Sequence, residues 1–105
     1  MIDTIPNIII PAVFSDRPCI YHIYAIRIKN RNELKQYLLK HGITTLIHYP
    51  IPLHMQDAFA YLGYKQGDFP VSEVIADELL SLPMYPELTV NQIEYIAEKI
   101  KRFYN

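Results

Sequence analysis

One short segment of the 105-residue chain concentrates the side chains that could do chemistry. Within nine residues it carries two imidazoles, a phenol and a primary amide, at His48, Tyr49, His54 and Gln56. Two prolines lie between the histidines and restrict the backbone there. These groups suit hydrogen bonding to a polyhydroxylated or phosphorylated ligand, so the segment predicts a binding wall. The alternative is a structural turn whose polar tips are solvated or bonded to the backbone.

A third histidine, His22, lies in a stretch that alternates as a half-buried strand does. Its side chain either belongs to a satisfied core or faces the same wall as His48. Both readings stay open from the residues alone, and we include His22 in the predicted substrate-binding set.

Metal binding and nucleophilic catalysis fit the residues less well. His48 and His54 are six apart, unlike the i, i+4 pair of zinc proteases, and a third ligand such as His22 would have to arrive through folding. Cys19 and His22, three apart on a strand, point to opposite faces. We therefore predict no metal ligand and no catalytic residue, and a small metal-dependent hydrolase is kept only as a rival hypothesis.

Composition narrows the class of protein. A length of 105 residues, half of them hydrophobic, fits one globular domain. The net charge of −1 gives no electrostatic basis for binding nucleic acid or an anionic membrane. The longest apolar run, residues 8–14, contains Pro11 and is too short to span a bilayer. The single cysteine excludes an intrachain disulfide, which together with the absence of a basic leader favours the cytoplasm.

The elements that must position these groups follow from periodicity and capping signals. The predicted strands are residues 8–10 as an edge, 19–28, 44–47 and 80–82. The first predicted helix covers residues 30–40, with Asn30 and Glu33 at capping-box spacing and Gly42 after its end. The other predicted helices are residues 55–62, one beginning at Pro70, and one from a Thr89–Gln92 capping box to Phe103. The strands at 19–28 and 44–47 could be parallel neighbours, or antiparallel with another strand between them. The fold class is α+β, a two-layer sandwich with helices on one face of a small, mainly antiparallel sheet.

Several motifs, in order and at matching spacing, resemble the C-terminal part of the DegT/DnrJ/StrS family of sugar aminotransferases. They are residues 22–24, 42–45, 47–56, 62–64, 67–73 and 80–86. The resemblance runs from about residue 8 to the end of the chain, and several ordered motifs together are far more specific than one.

This resemblance implies the C-terminal small domain of the aspartate-aminotransferase fold type I. It also implies a pyridoxal-phosphate enzyme that moves an amino group, usually from glutamate, to a keto group on a nucleotide-linked sugar. Such enzymes are homodimers and serve polysaccharide or antibiotic-sugar biosynthesis. By the same resemblance, the segment from His48 to Gln56 helps to shape the sugar-nucleotide pocket.

The resemblance covers only a small domain. None of the six lysines of this sequence lies in a segment with the pattern of the family's cofactor-bearing lysine. We therefore expect a truncated fragment that lacks the large cofactor domain and is inactive alone, with no cofactor bound to it. Residues 1–18 are expected to be a linker or edge segment from that large domain, and residues 19–105 the small domain. The alternative is a free-standing module that binds sugar nucleotides or another protein without catalysis. The sugar, the amino donor and the pathway do not follow from the sequence.

Overall fold

All 105 residues are described by the structure, a computed structural model. Its sheet has three antiparallel strands in the order β1–β2–β3, where β1 is Ile8–Ile9, β2 is Tyr24–Ile28 and β3 is Leu79–Leu82. Three α-helices accompany the sheet: α1 (Arg31–Lys40), α2 (Pro70–Glu78) and α3 (Val90–Tyr104). Two 3₁₀ segments, Leu53–Met55 and Asp57–Leu62, lie between α1 and α2. The predicted α+β class with an antiparallel sheet is confirmed.

The hydrophobic core lies between one face of the sheet and helices α1 and α3. Its fully buried side chains come from the sheet and from both helices: Ile26, Ile28, Leu34, Leu38, Leu80 and Ile100. Ile26 pairs with Leu80 across the β2–β3 ladder, so both side chains lie on the same face of the sheet. The alternation in β2 thus directs every second residue into the core.

The first residues of the chain also enter this core. Ile2, Ile5 and Ile8 are buried and belong to the same cluster as Ile26 and Leu80. Ile8 lies on the edge strand β1, where Pro11 soon ends the extended segment, as expected for a proline that cannot donate to a ladder. The assignment of residues 1–18 to a preceding domain stays a prediction, but these three isoleucines pack in the same core as Ile26 and Leu80.

The strand predicted for residues 19–28 is shorter than expected and begins only at Tyr24. Its partner β3 ends at Leu82, opposite Tyr24, and Pro83 follows with no backbone N–H to continue the ladder. Residues 19–23 therefore have no strand to pair with. Within them Tyr21 takes a positive φ of 46°.

The strand predicted for residues 44–47 is wrong as an extended element. Only Leu46 pairs, in an isolated antiparallel bridge with Ser81. The neighbouring carbonyl of Thr45 instead accepts a hydrogen bond of 2.6 Å from Nζ of Lys35. An intervening strand is observed, because β3 lies between β2 and Leu46. Since β3 is antiparallel to both, the Leu46 segment runs in the same direction as β2 and is not its direct neighbour.

Helix ends follow the sequence in some places and not in others. Thr89 and Gln92 form the predicted capping box, with a bond of 3.2 Å from the Gln92 N–H to the Thr89 hydroxyl. Gly42, at φ 77°, ends α1 as expected of a residue without a Cβ. Asn30, however, makes no side-chain cap. The helix predicted for residues 55–62 is wrong: Met55 ends one 3₁₀ segment, Gln56 is extended, and a second 3₁₀ segment covers Asp57–Leu62.

Candidate functional site

The cleft that carries polar groups lies beside β3, on the side where Leu46 pairs. It has a volume of about 240 Å³ and is open to solvent on one side. His22, Thr44, His48 and Ser81 provide its polar groups. The cleft therefore brings together two of the three histidines that the sequence singled out, although they are 26 positions apart (48 − 22).

Ser81 occupies the centre of this arrangement. On one side it pairs with Ala25 of β2, and on the other with Leu46. The Ser81 N–H donates to the Leu46 carbonyl at 2.7 Å, and the Leu46 N–H donates to the Ser81 carbonyl at 3.1 Å. The segment that leads to His48 is thus fastened to the sheet two residues before the imidazole.

The His48 side chain is half-buried and joined directly to this strand. Its Nδ1 and the Ser81 Oγ share a hydrogen bond of 2.8 Å. Nε2 makes no hydrogen bond within the chain, so it is the ring nitrogen left for a ligand. His22 is exposed at the same cleft and also forms no side-chain hydrogen bond within the chain.

Tyr49 lies on the surface, with its ring edge-on to that of His48 at a centroid distance of 5.6 Å. The peptide between these two residues is cis, whereas Tyr49–Pro50 is not. Tyr49 is 70 % exposed, so its phenol is free to meet a ligand or another protein surface. It does not line the cleft itself.

His54 is placed elsewhere and is held by the chain. It is buried, and its Nε2–H donates to Oε1 of Glu73 at 3.1 Å. Its ring packs edge-on against Phe69, with centroids 4.9 Å apart. The same Glu73 oxygen accepts from the Gly67 N–H at 2.7 Å. These bonds tie the 3₁₀ segment and the loop before α2 to that helix.

Gln56 also bonds within its own loop, since its Nε2 donates to the Ile51 carbonyl at 3.2 Å. The structure thus separates the predicted set into a cleft pair, His22 and His48, a surface residue, Tyr49, and two loop-holding residues, His54 and Gln56. A ligand role for each of the five stays a prediction. In the structure no group of three or more His, Cys, Asp or Glu side chains is placed to hold a metal ion.

Sequence reasoning missed Ser81 and Glu73 as partners of the histidines. For Ser81 a signal exists, because a serine between Leu80 and Leu82 in a short strand must face away from the core that the leucines enter. For Glu73 the contact spans 19 positions and no local pattern reveals it.

A second, larger cavity is apolar and lies on the other side of β3. It has a volume of about 270 Å³, and ten of its eleven lining residues are hydrophobic. They are Met1, Ile2, Tyr24, residues 82–84, Leu88, and Ile93, Ile96, Ala97 and Ile100 of α3. Burial raises the pKa of the Tyr24 phenol, with smaller contributions from Tyr21 and Asp3. None of the side chains that line this cavity is charged.

None of the six lysines lines either cavity. Lys35 is bonded to the Thr45 carbonyl, and Lys99 lies over the Tyr95 ring with Nζ 5.1 Å from its centroid. A lysine that forms a Schiff base needs a desolvated pocket that lowers its pKa. The residues of this chain do not provide that environment.

The sequence of this chain is similar to that of known aminotransferases. The family model of the DegT/DnrJ/EryC1/StrS aminotransferases matches residues 3–101. A pleiotropic regulatory protein of Geobacillus stearothermophilus is 46 % identical over 97 residues, which is 92 % of this chain and 26 % of that protein. The dTDP-3-amino-3,6-dideoxy-alpha-D-galactopyranose transaminase of Aneurinibacillus thermoaerophilus is 39 % identical over 98 residues, 93 % of this chain and 26 % of that enzyme.

Among solved structures, the chain is similar to S. venezuelae DesV in complex with a ketimine intermediate. The TM-score is 0.91 at 31 % identity, covering 97 % of this chain and 28 % of that one. The chain therefore spans about a quarter of the length of the relatives it matches, and the part it matches is their C-terminal portion. No helix of the structure is long and apolar enough to cross a membrane.

Proposed function

The chain belongs to the DegT/DnrJ/EryC1/StrS aminotransferase family, and from that membership we propose that it acts as the C-terminal part of a nucleotide-sugar aminotransferase. The reaction would move an amino group, usually from glutamate, to a keto group on a nucleotide-linked sugar. The observation that carries this proposal is the extent of the match, which leaves almost no residue of the chain outside the family model and aligns 97 % of it with DesV.

The contribution of this chain would be to bind and orient the sugar nucleotide. In the cleft, Nε2 of His48 and the His22 imidazole can hydrogen-bond phosphate or hydroxyl oxygens. Tyr49 stands exposed next to His48 and can add a contact from the rim. His54 and Gln56 support this role less directly, since both already bond within the chain.

The small size of the cleft indicates that residues outside this chain provide further walls of the binding site. Pockets that enclose an entire ligand usually measure roughly 300–1,000 Å³. At about 240 Å³, this cleft is large enough for only part of a nucleotide sugar. We propose that the larger remainder of the enzyme, absent from these 105 residues, and a second subunit complete the pocket.

The exposed apolar side chains support contact with the remainder of the enzyme and with a second subunit. Ile20 is 98 % exposed and Val13 is 73 % exposed, both in the segment between β1 and β2. Surfaces of this kind often mark protein contacts. We propose that residues 1–18 lead from the large domain, that the fold assembles as a homodimer, and that it works in the cytoplasm, where Cys19 stays reduced.

The family is dependent on pyridoxal phosphate, which serves as an electron sink when bound. Because no lysine of this chain lies in a suitable pocket, we propose that the cofactor and its lysine belong to the remainder of the enzyme. The chain alone would then be inactive and would bind no cofactor.

A domain exchange tests the proposal. The matching C-terminal portion of DesV is replaced by this chain, and cofactor absorbance and amino transfer are measured. We expect both to be retained, because the two folds superpose closely. The isolated chain serves as the control, mixed with pyridoxal phosphate and treated with borohydride. A folded exchange protein without amino transfer, or a pyridoxyl group fixed to the isolated chain, would contradict the proposal.

A binding module without catalysis is the second candidate, favoured by the fact that residues of this chain alone form the cleft. Calorimetry of the isolated chain with several nucleotide sugars separates the two. Binding at micromolar concentration would support the module, whereas binding that requires the rest of the enzyme would support the first proposal.

A further inference from the structure

The Ser81 hydroxyl and the His48 imidazole form the only side-chain hydrogen bond across the cleft beside β3. Ser81 is 5 % exposed, so its hydroxyl has little access to water. The backbone of the same residue is paired on both sides, with Ala25 and with Leu46. The sheet therefore fixes the face on which the Ser81 side chain lies, whereas the hydroxyl hydrogen can still rotate toward a partner.

The direction of the hydrogen bond follows from what each group can offer. A serine hydroxyl has one hydrogen to donate, and a neutral imidazole has one nitrogen that donates and one that accepts. Nδ1 of His48 is the only partner of the Ser81 hydroxyl within the chain. If Nδ1–H donated to it, the hydroxyl hydrogen would be left without an acceptor in a buried position, which is unfavourable.

We propose that Ser81 is a positioning residue that donates to Nδ1 of His48, so that Nε2 carries the ring proton and is presented to the cleft as a hydrogen-bond donor. A donor at that place selects an oxygen that only accepts, such as a phosphate oxygen of the nucleotide sugar. The ligand part of this inference depends on the proposed function, whereas the tautomer part does not.

The test measures the tautomer first. The ¹⁵N-labelled 105-residue chain is examined by long-range ¹H–¹⁵N correlation at a pH where His48 is neutral, with His48→Gln used to assign its signals. We expect an unprotonated Nδ1 and a protonated Nε2 in the unsubstituted chain. A protonated Nδ1 would overturn the proposal without the need for any variant.

Variants then separate positioning from stability. Ser81→Ala should shift the His48 ring toward a mixture of tautomers, and Ser81→Thr, which retains a hydroxyl, should restore the original pattern. Thr45→Val is the matched control, because it removes a neighbouring buried hydroxyl that has no partner. An unchanged His48 tautomer in a folded Ser81→Ala chain would refute the role of Ser81.

The ligand part uses the DesV exchange protein and dTDP-glucose as the probe. Ser81→Ala should weaken its binding roughly five- to tenfold, as expected for a misdirected hydrogen bond to a charged group, and Thr45→Val should not. If the probe binds but Ser81→Ala has no effect, this inference fails and the proposed function stands. If the probe does not bind although the tautomer is as expected, the ligand part of this inference fails and the positioning role of Ser81 stands.

Discussion

Nε2 of His54 and Oε1 of Glu73 lie 3.1 Å apart and join two segments that are 19 residues distant in the sequence. Both side chains are largely shielded, with 7 % and 18 % of their surfaces exposed. The Gly67 N–H binds the same carboxylate oxygen. One carboxylate thus organises the loop region between α1 and α2, next to the segment that carries His48.

Removing the imidazole should therefore destabilise the chain. We expect His54→Ala to lower the free energy of unfolding by about 1–3 kcal/mol, because it leaves the shielded Glu73 carboxylate without one of its donors. Urea unfolding followed by circular dichroism measures the change. Gln56→Ala is the control, since it removes only an exposed bond to the Ile51 carbonyl and should change stability by less than about 0.5 kcal/mol. Equal effects of the two variants would contradict this account.

A buried guanidinium connects the start of α1 with the end of α2. Arg31 is 8 % exposed, and its Nη1 donates to the carbonyls of Ala76 and Leu79. Hydrogen bonds of charged donors contribute about 1.5–3 kcal/mol each. We expect Arg31→Ala to lower the free energy of unfolding by about 2–4 kcal/mol, because two shielded carbonyls lose a charged donor.

Arg17, whose guanidinium lies on the surface, provides the control for Arg31. Arg17 is paired with Asp16 at 3.2 Å, and its side chain is 76 % exposed. Exposed ion pairs contribute about 0–1 kcal/mol, so Arg17→Ala should leave the urea midpoint nearly unchanged. A similar loss in both variants would show that the carbonyl contacts of Arg31 are not what stabilises the fold.

Local signals in the sequence predicted α1, α2 and α3 well, because the interactions that begin and end a helix lie within a few residues. The position of Gly42 after α1 and the capping box before α3 are of this kind. The strands were predicted less well. The extent of β2 depends on Pro83, more than fifty positions away, and the pairing of Leu46 depends on Ser81. Neither contact leaves a trace in the local alternation.

In the candidate site, too, local sequence predicted some features and distant contacts determine the others. Its residue types were visible in the sequence, but the grouping of His22 with His48 is made by β3, which both segments adjoin only after folding. The separation of His54 from this cleft results from its contact with Glu73. Sequence reasoning therefore named the groups and could not divide them into those free for a ligand and those already bonded.

The two apparent capping boxes give a direct test of where local reasoning succeeds. Asn30–Glu33 and Thr89–Gln92 have the same spacing, but only Thr89 accepts a hydrogen bond from the backbone. We expect Thr89→Ala to cost about 1 kcal/mol, as N-cap removal usually does. Asn30→Ala should cost less than about 0.5 kcal/mol, because no side-chain cap is lost. Thermal or urea unfolding of the two variants in parallel measures both losses of stability. A larger loss for Asn30→Ala than for Thr89→Ala would be incompatible with the observed caps.

We expect Tyr104 to make the stability of the folded chain depend on pH in the alkaline range. Its Oη is buried without a hydrogen-bond partner, and this burial raises the pKa of the phenol to about 12, from an ordinary value of about 10. Between these two values the unfolded chain loses the proton while the folded chain keeps it. The unfolded state then binds fewer protons than the native one, so stability is complete below pH 10 and falls as the pH rises toward 12.

Tyr104→Phe should remove this part of the pH dependence, because the phenylalanine ring keeps the packing against Phe103 and has no proton to lose. At neutral pH the same substitution should be neutral or stabilising, since the buried hydroxyl has no partner to satisfy it. Urea midpoints measured at pH 7, 9 and 11 test both statements. Tyr61→Phe, at a position 80 % exposed, is the matched control and should follow the unsubstituted chain at every pH. If Tyr104→Phe loses stability between pH 9 and 11 as steeply as the unsubstituted chain, another group is responsible for the alkaline transition.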